Sequence, residues 1–151
     1  MTTIRTALPS DVDAIHALGE TVSEFSVNDT TVTFWPKPTL LNAIASDDVV
    51  VLVAEKNKEI IGFIIAAYNA GLSKATIENV YVAPSSRGEG VGNALLAQLL
   101  TTLRDIQCDY VATLIPTNAQ KAAQLYTNAG FSSGETFLWM DLAVADTFKS
   151  V

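Results

Sequence analysis

Between Val49 and Pro84 the chain runs through VVVLVAE, EIIGFIIAAYN and KATIENVYVAP, three stretches rich in β-branched and aromatic residues. Only KNK and AGLS separate them. Connections this short reverse a strand but leave no room for a crossover, so the three runs predict an antiparallel meander. Their apolar residues occupy successive positions, where a half-solvated strand would alternate with polar ones. At least part of this sheet is therefore expected to be covered on both faces, and Pro84 to end its third strand.

The remaining chain supplies helices and further strands. TIRTAL alternates like a short strand, and PSDVDAIHALGETVSEF then sets Ile15, Leu18, Val22 and Phe25 at helical spacing behind Pro9 and a Ser10 cap. The polar, β-branched stretch from Ser26 to Lys37 ends in prolines that forbid a long helix, and TLLNAIAS after it reads as a short one. Beyond the meander, Val91, Leu95, Leu96, Leu99, Leu100 and Leu103 repeat with helical spacing, and CDYVATLI reads as a strand, giving a strand–helix–strand crossover. PTNAQKAAQLYTNAGF then predicts a helix with Thr117 and Asn118 as caps and Gly130 at a left-handed C-terminal position. FLWMDLAV is expected to form the last strand. With 151 residues, no internal repeat and no linker, one domain over residues 1–151 is expected.

Composition narrows the function. A hydrophobic share of 49% with 17% charged residues suits a folded core, not a disordered chain. A formal net charge of −7 argues against broad nucleic-acid binding, which needs clustered Lys and Arg. No apolar run approaches the roughly 20 residues of a membrane span, and MTTIRTALPSD lacks the apolar stretch of a secretory signal, so a cytoplasmic location is the expectation. The single Cys108 can neither form an internal disulfide nor join a second cysteine on zinc, and no histidine pair or other metal-ligand spacing exists.

One segment invites an anion in spite of this charge. SSRGEGVGNALL places Gly88, Gly90 and Gly92 between a strand and a helix, where several amide N–H groups lack partners. The helix dipole adds about 0.3–1 kcal/mol per charge in exposed settings. A tight structural turn is the alternative reading. The Walker pattern requires Lys and Ser or Thr where Asn93 and Ala94 stand, and the dinucleotide fingerprint requires a different glycine spacing.

Arg87-Gly88-Glu89-Gly90-Val91-Gly92 resembles the R/Q-x-x-G-x-G/A signature of the GNAT superfamily of acyl-CoA-dependent N-acyltransferases. IENVYVAPSSRGEGVGNALL is similar to that family's strand, loop and helix, and TNAQKAAQLYTNAGF to its later helix and Y-x-x-x-G-F ending. The resemblance covers residues 75 to 133 most strongly. It implies an α/β fold with a central mixed sheet of six to seven strands flanked by helices, and a splayed parallel pair, Ile77 to Val82 and Tyr110 to Leu114, that binds acetyl-CoA. It further implies pantetheine pairing with the backbone at Val80, Tyr81 and Val82, a pyrophosphate cradle of amides from Arg87, Gly88, Glu89, Gly90, Val91 and Gly92, and Asn118 near the cofactor. Glu89 and Asn93 stand where many members carry Lys or Arg, which thins the charge assistance.

Acetyl transfer from a thioester to an amine needs a deprotonated amine, a donor for the thioester carbonyl and a proton for the departing thiolate. By resemblance Tyr126 is the general acid; a half-buried packing aromatic is the plain alternative. Glu78, an acid inside TIENVYV, is by resemblance a base, direct or through water; a solvated strand residue or a cross-strand charge partner is the plain alternative. His16 reads as a helix-edge residue, and Cys108 has no evident base to make it a nucleophile. The resemblance puts the acceptor against Phe25 to Ser46 and the late strands, with Trp35 either lining that pocket or packing. Glu24, Asp29 and the acidic balance favour a small cationic amine. A peptide or protein amine, as in ribosomal-protein-type enzymes, and a noncatalytic acyl-CoA-binding module are the alternatives. An exposed last strand would allow a homodimer.

Overall fold

The computed structural model describes residues 1–22, 34–142 and 144. Five strands form one sheet in the order β1-β2-β3-β4-β5: Thr3–Thr6, Val49–Lys56, Glu59–Asn69, Lys74–Val82 and Tyr110–Thr113. β1 to β4 pair antiparallel, and β5 joins β4 in parallel. The helices are α1 Val12–Gly19, α2 Lys37–Ala45, α3 Val91–Asp105 and α4 Gln120–Asn128. No helix among the described residues is long and apolar enough to cross a membrane.

The double-sided apolar pattern of the meander has its expected outcome. Leu52, Ala54, Ile64 and Ala66 pack on one face with Leu95, Leu96 and Leu99 of α3. Their neighbours Val51, Val53, Phe63 and Ile65 pack on the other with Ile15 of α1 and Leu40 of α2. Alternation along a strand sends adjacent apolar residues to opposite cores. The crossover helix α3 turns its predicted stripe inward, with Val91, Leu95, Leu96, Leu99 and Leu103 buried.

Several expectations are corrected. α1 starts at Val12, and the residue that ties its entry is not Ser10 but Asp11, whose carboxylate accepts from the Leu8 amide at 2.7 Å and from the Arg5 guanidinium at 2.7 and 3.0 Å. A buried carboxylate with three donors fixes β1 to α1 more strongly than a hydroxyl would. Thr117 and Asn118 make no capping bond: the residue before α4 is Ala119, without a side-chain cap. Gly130, by contrast, has φ +101° as expected, and the Phe131 amide returns to the Tyr126 carbonyl at 3.0 Å.

The largest correction concerns the sheet, which has five strands among the described residues where six to seven were expected. Residues 137–142 of FLWMDLAV form no strand. Their residues have strand propensity on both faces, but propensity cannot supply the partner edge that a strand needs. Phe25, Glu24 and Asp29 lie outside the described residues.

Candidate active site

The parallel pairing of β4 with β5 runs from Lys74↔Tyr110 to Ile77↔Thr113 and stops there. β4 continues to Val82 with only β3 beside it. The two strands thus make a fork whose apex is Ile77 and Thr113, closed by the Thr113 hydroxyl donating to the Ile77 carbonyl at 3.2 Å. One residue beyond the apex, the β3–β4 register shifts: Ala66 faces Ile77 and Ile65 faces Asn79, which leaves Glu78 as the extra residue of a β-bulge. Bulges re-aim side chains, and this one falls at the mouth of the fork.

Tyr126 reaches the other branch of the fork from α4. It is 5% exposed, packs with the α3-side core and sets its ring edge-on to Phe131 at 5.1 Å. Burial pushes its phenol above the ordinary tyrosine range, opposed by a hydrogen bond with the Thr113 side chain. Thr113 therefore joins the fork apex to the phenol, a link with no signal in the sequence beyond a hydroxyl in a short strand. Glu78 keeps an exposed surface, yet displacement of water by the surrounding sheet raises its carboxyl above the usual value. The fork therefore carries a carboxyl that ionises late on the β4 bulge, and α4 presents a phenol that holds its proton to Thr113 at the apex.

Backbone groups line the open arm of β4. The Ala83 amide bonds to the Ile61 carbonyl on β3 at 2.7 Å. By antiparallel alternation, Tyr81 also faces β3 while Val80 and Val82 turn their N–H and C=O toward the gap. Tyr81 instead contributes its ring, 5.9 Å from Phe63 on the α1–α2 side. The Val82 carbonyl already accepts from Arg87 Nε at 2.9 Å, and the Arg87 guanidinium lies 5.4 Å from the Tyr81 ring centroid. Arg87 thus braces β4 and does not reach over the loop.

The glycine loop follows a single 3-10 turn at Pro84–Ser86. Gly88 and Gly90 both have φ +81°, a conformation that Cβ disfavours, and a Cβ at either would meet nothing within 4 Å. An open face at two left-handed glycines, directly before the unpaired N–H groups of α3's first turn at Val91, Gly92 and Asn93, fits an anion held by backbone. Glu89 between them is bridged by Lys56 Nζ at 3.1 Å from the end of β2, which offsets the carboxylate in an anion-binding loop. Sequence reading missed this lysine because its contact spans 33 residues.

On the opposite face, Trp35 Nε1 donates to Asn79 Oδ1 at 2.8 Å, fixing the indole beside the residue that follows the bulge. The Trp35 carbonyl bonds His16 Nδ1 at 3.0 Å, and His16 Nε2 lies 3.3 Å from Glu20. His16 is thus a half-buried strut under Trp35. Asn118 is exposed in the turn before α4. Cys108 directs its thiol to the Tyr110 carbonyl at 3.2 Å, away from any base. Among the described residues no cluster of His, Cys, Asp and Glu could hold a metal ion. A shallow concavity of about 440 Å³ lined by Ser10, Ala14, Leu18, Glu55, Lys58 and Ile60 opens against α1, and no residue of the fork lines it.

No match was found among curated proteins. Solved structures share the fold at low identity. An aminoglycoside N-acetyltransferase in complex with a bisubstrate analogue has a TM-score of 0.76 at 17% identity, covering 94% of this chain and 98% of its own. The PaiA N-acetyltransferase from Thermoplasma acidophilum, in complex with coenzyme A, gives 0.78 at 19% identity over 91% and 93%. The ribosomal-protein alanine N-acetyltransferase from Escherichia coli gives 0.73 at 21% over 89% and 80%. Residues 47–133, from the meander through the glycine loop to the end of α4, match the acetyltransferase (GNAT) domain. The chain belongs to the GNAT family of acetyl-CoA-dependent N-acetyltransferases.

Proposed function

We propose that this enzyme transfers the acetyl group of acetyl-CoA directly to a primary amine of a small cationic molecule, with the reaction centred on the fork between β4 and β5. The observation that carries this reading is the fork itself, with Glu78 raised on a bulge one residue beyond its apex and Tyr126 reaching Thr113 at that apex from α4. Backbone groups of Val80 and Val82 would hold pantetheine, and amides from Arg87 to Gly92 the pyrophosphate. In this reading Arg87 acts through β4, and Asn118 borders the cofactor from the turn before α4.

Bound acetyl-CoA supplies the activated acyl group. Glu78 accepts a proton from the incoming ammonium, directly or through water, leaving a free lone pair to attack the thioester carbonyl carbon. As the carbon–sulfur bond breaks, Tyr126 gives its proton to the departing thiolate, and the surplus proton on the acylated nitrogen passes, directly or through water, to the phenolate and restores the phenol. A raised phenol pKa keeps that proton available at neutral pH, and a carboxylate beside the amine also attracts a cationic acceptor.

A net charge of −7 supports a cationic acceptor. Fold similarity to an aminoglycoside acetyltransferase agrees with a small molecule. Fold similarity to a ribosomal-protein alanine acetyltransferase favours, as the second reading, the N-terminus of a peptide. Incubation with acetyl-CoA and parallel panels of small amines and peptides, with free-thiol detection and mass spectrometry of the products, separates them. Acetylated small amines are expected. Products confined to peptides would reverse the choice, and tight acetyl-CoA binding without transfer would point to a noncatalytic module.

A further inference from the structure

Ile77 and Val80 of β4 both pack with the α3-side core, although positions three apart on an unbroken strand lie on opposite faces. The bulge absorbs the difference, so Glu78 and Asn79 leave that core together, toward α1 and α2. Asn79 meets Trp35 there, and Trp35 packs with the core that also takes Tyr81. Trp35 is itself fixed from two directions. Its carbonyl bonds His16 Nδ1 at 3.0 Å. Its neighbour Phe34 is buried 5.5 Å from the Phe63 ring and fills the space over Gly19, where a Cβ would come within 2.3 Å of it. An indole N–H can only donate, so its bond at 2.8 Å takes the Oδ1 edge of Asn79 and fixes the amide.

We propose that Trp35 and Asn79 are positioning residues for Glu78, their indole–amide bond holding the bulge in one shape and screening one side of the carboxyl group from water. The extra residue of a bulge lacks a ladder partner, so its direction is set by what grips the strand beside it. Here that grip comes from outside the sheet, from the segment that enters α2, across 44 residues of sequence. The consequence for catalysis rests on the reading of Glu78 as the base: a carboxylate held in one place meets the incoming ammonium in one place. The burial that raises the Glu78 carboxyl would then depend on the Trp35 tie.

The test follows the Glu78 side-chain carboxyl by 13C NMR titration of the unliganded protein, assigned with Glu78→Gln, in Trp35→Phe, Asn79→Leu and the double variant. Trp35→Phe keeps an aromatic ring and removes the N–H, while Asn79→Leu keeps the volume and removes the acceptor. His16 and Glu20 at the end of α1, Lys37 of α2, Tyr68 of β3, Tyr81 of β4 and Tyr126 of α4 titrate unaltered in sequence throughout. The Glu78 midpoint is expected to fall toward the ordinary glutamate value in each single variant, and no further in the double one, because all three lack the same bond. A tie that serves only packing would lower Tm and leave the midpoint where it stands, which would overturn the proposal. Shifts that add in the double variant would overturn it too, since the two side chains would then act separately. If Glu78→Gln kept the native rate of acetyl transfer, the base reading alone would fall.

Discussion

Tyr126 is a core residue by burial and, in the proposed function, the proton donor, and the two roles separate on mutation. Tyr126→Phe keeps the ring against Phe131 and removes only the hydroxyl that meets Thr113. We expect kcat to fall by roughly 10²–10⁴-fold while the variant stays folded and acetyl-CoA affinity changes little; turnover within about twofold of the native enzyme would return Tyr126 to packing alone. Glu78 carries the pH prediction. Its folded pKa lies above the unfolded value, so the folded state binds the proton more tightly. Its ionisation therefore opposes folding once the pH passes the unfolded value, and fully so above the folded one. Glu78→Gln should thus melt slightly higher than the native protein at neutral pH, with the difference vanishing in acid, while losing the acidic limb of the rate profile. A limb that persists in the variant would move the base elsewhere. The residue types at both positions were legible in the chain, Tyr126 through its Y-x-x-x-G-F context. The contacts around them were not, because Thr113 with Ile77, Trp35 with Asn79 and Lys56 with Glu89 meet across 33 to 44 residues of sequence.

Elements differed in how far local pattern determined them. The meander and α3 were readable because each residue's neighbours along the chain set its face. The bulge at Glu78 was not, since it exists only in the register between β3 and β4. FLWMDLAV failed for a related reason: its composition states a preference for a sheet without naming the edge. In the glycine loop, sequence and geometry agree, and the loop's role can be tested apart from its packing. A methyl group at Gly90 meets nothing within 4 Å, so Gly90→Ala changes the backbone alone. Holding alanine at φ +81° costs about 1–2 kcal/mol, a fall in Tm of roughly 2–8 °C for a chain of this length. Any relaxation of the turn re-aims the first amides of α3. We therefore expect calorimetry to show acetyl-CoA binding weakened by about tenfold, and unchanged affinity would detach the loop from the cofactor.

At the scale of the whole molecule, the net charge and the site oppose each other. Acetyl-CoA is a polyanion approaching a protein of formal charge −7, and in the proposed site only the loop amides, the α3 dipole and nearby Lys56 and Arg87 would attract it at close range. Long-range repulsion acts on encounter, while the local contacts act on the bound complex. The Debye length is about 10 Å at 0.1 M salt and about 30 Å at 0.01 M, so raising salt removes the repulsion across most of the approach before it weakens hydrogen bonds at the loop. The association rate constant for acetyl-CoA, followed by stopped-flow fluorescence, should therefore increase between those ionic strengths, the opposite of a phosphate site built from lysine clusters. Dissociation should change less, because backbone amides carry no net charge to screen. An association rate that falls steeply with salt would mean that Lys56 and Arg87 dominate the field at the entrance, and that Glu89 does not neutralise Lys56 when the cofactor arrives.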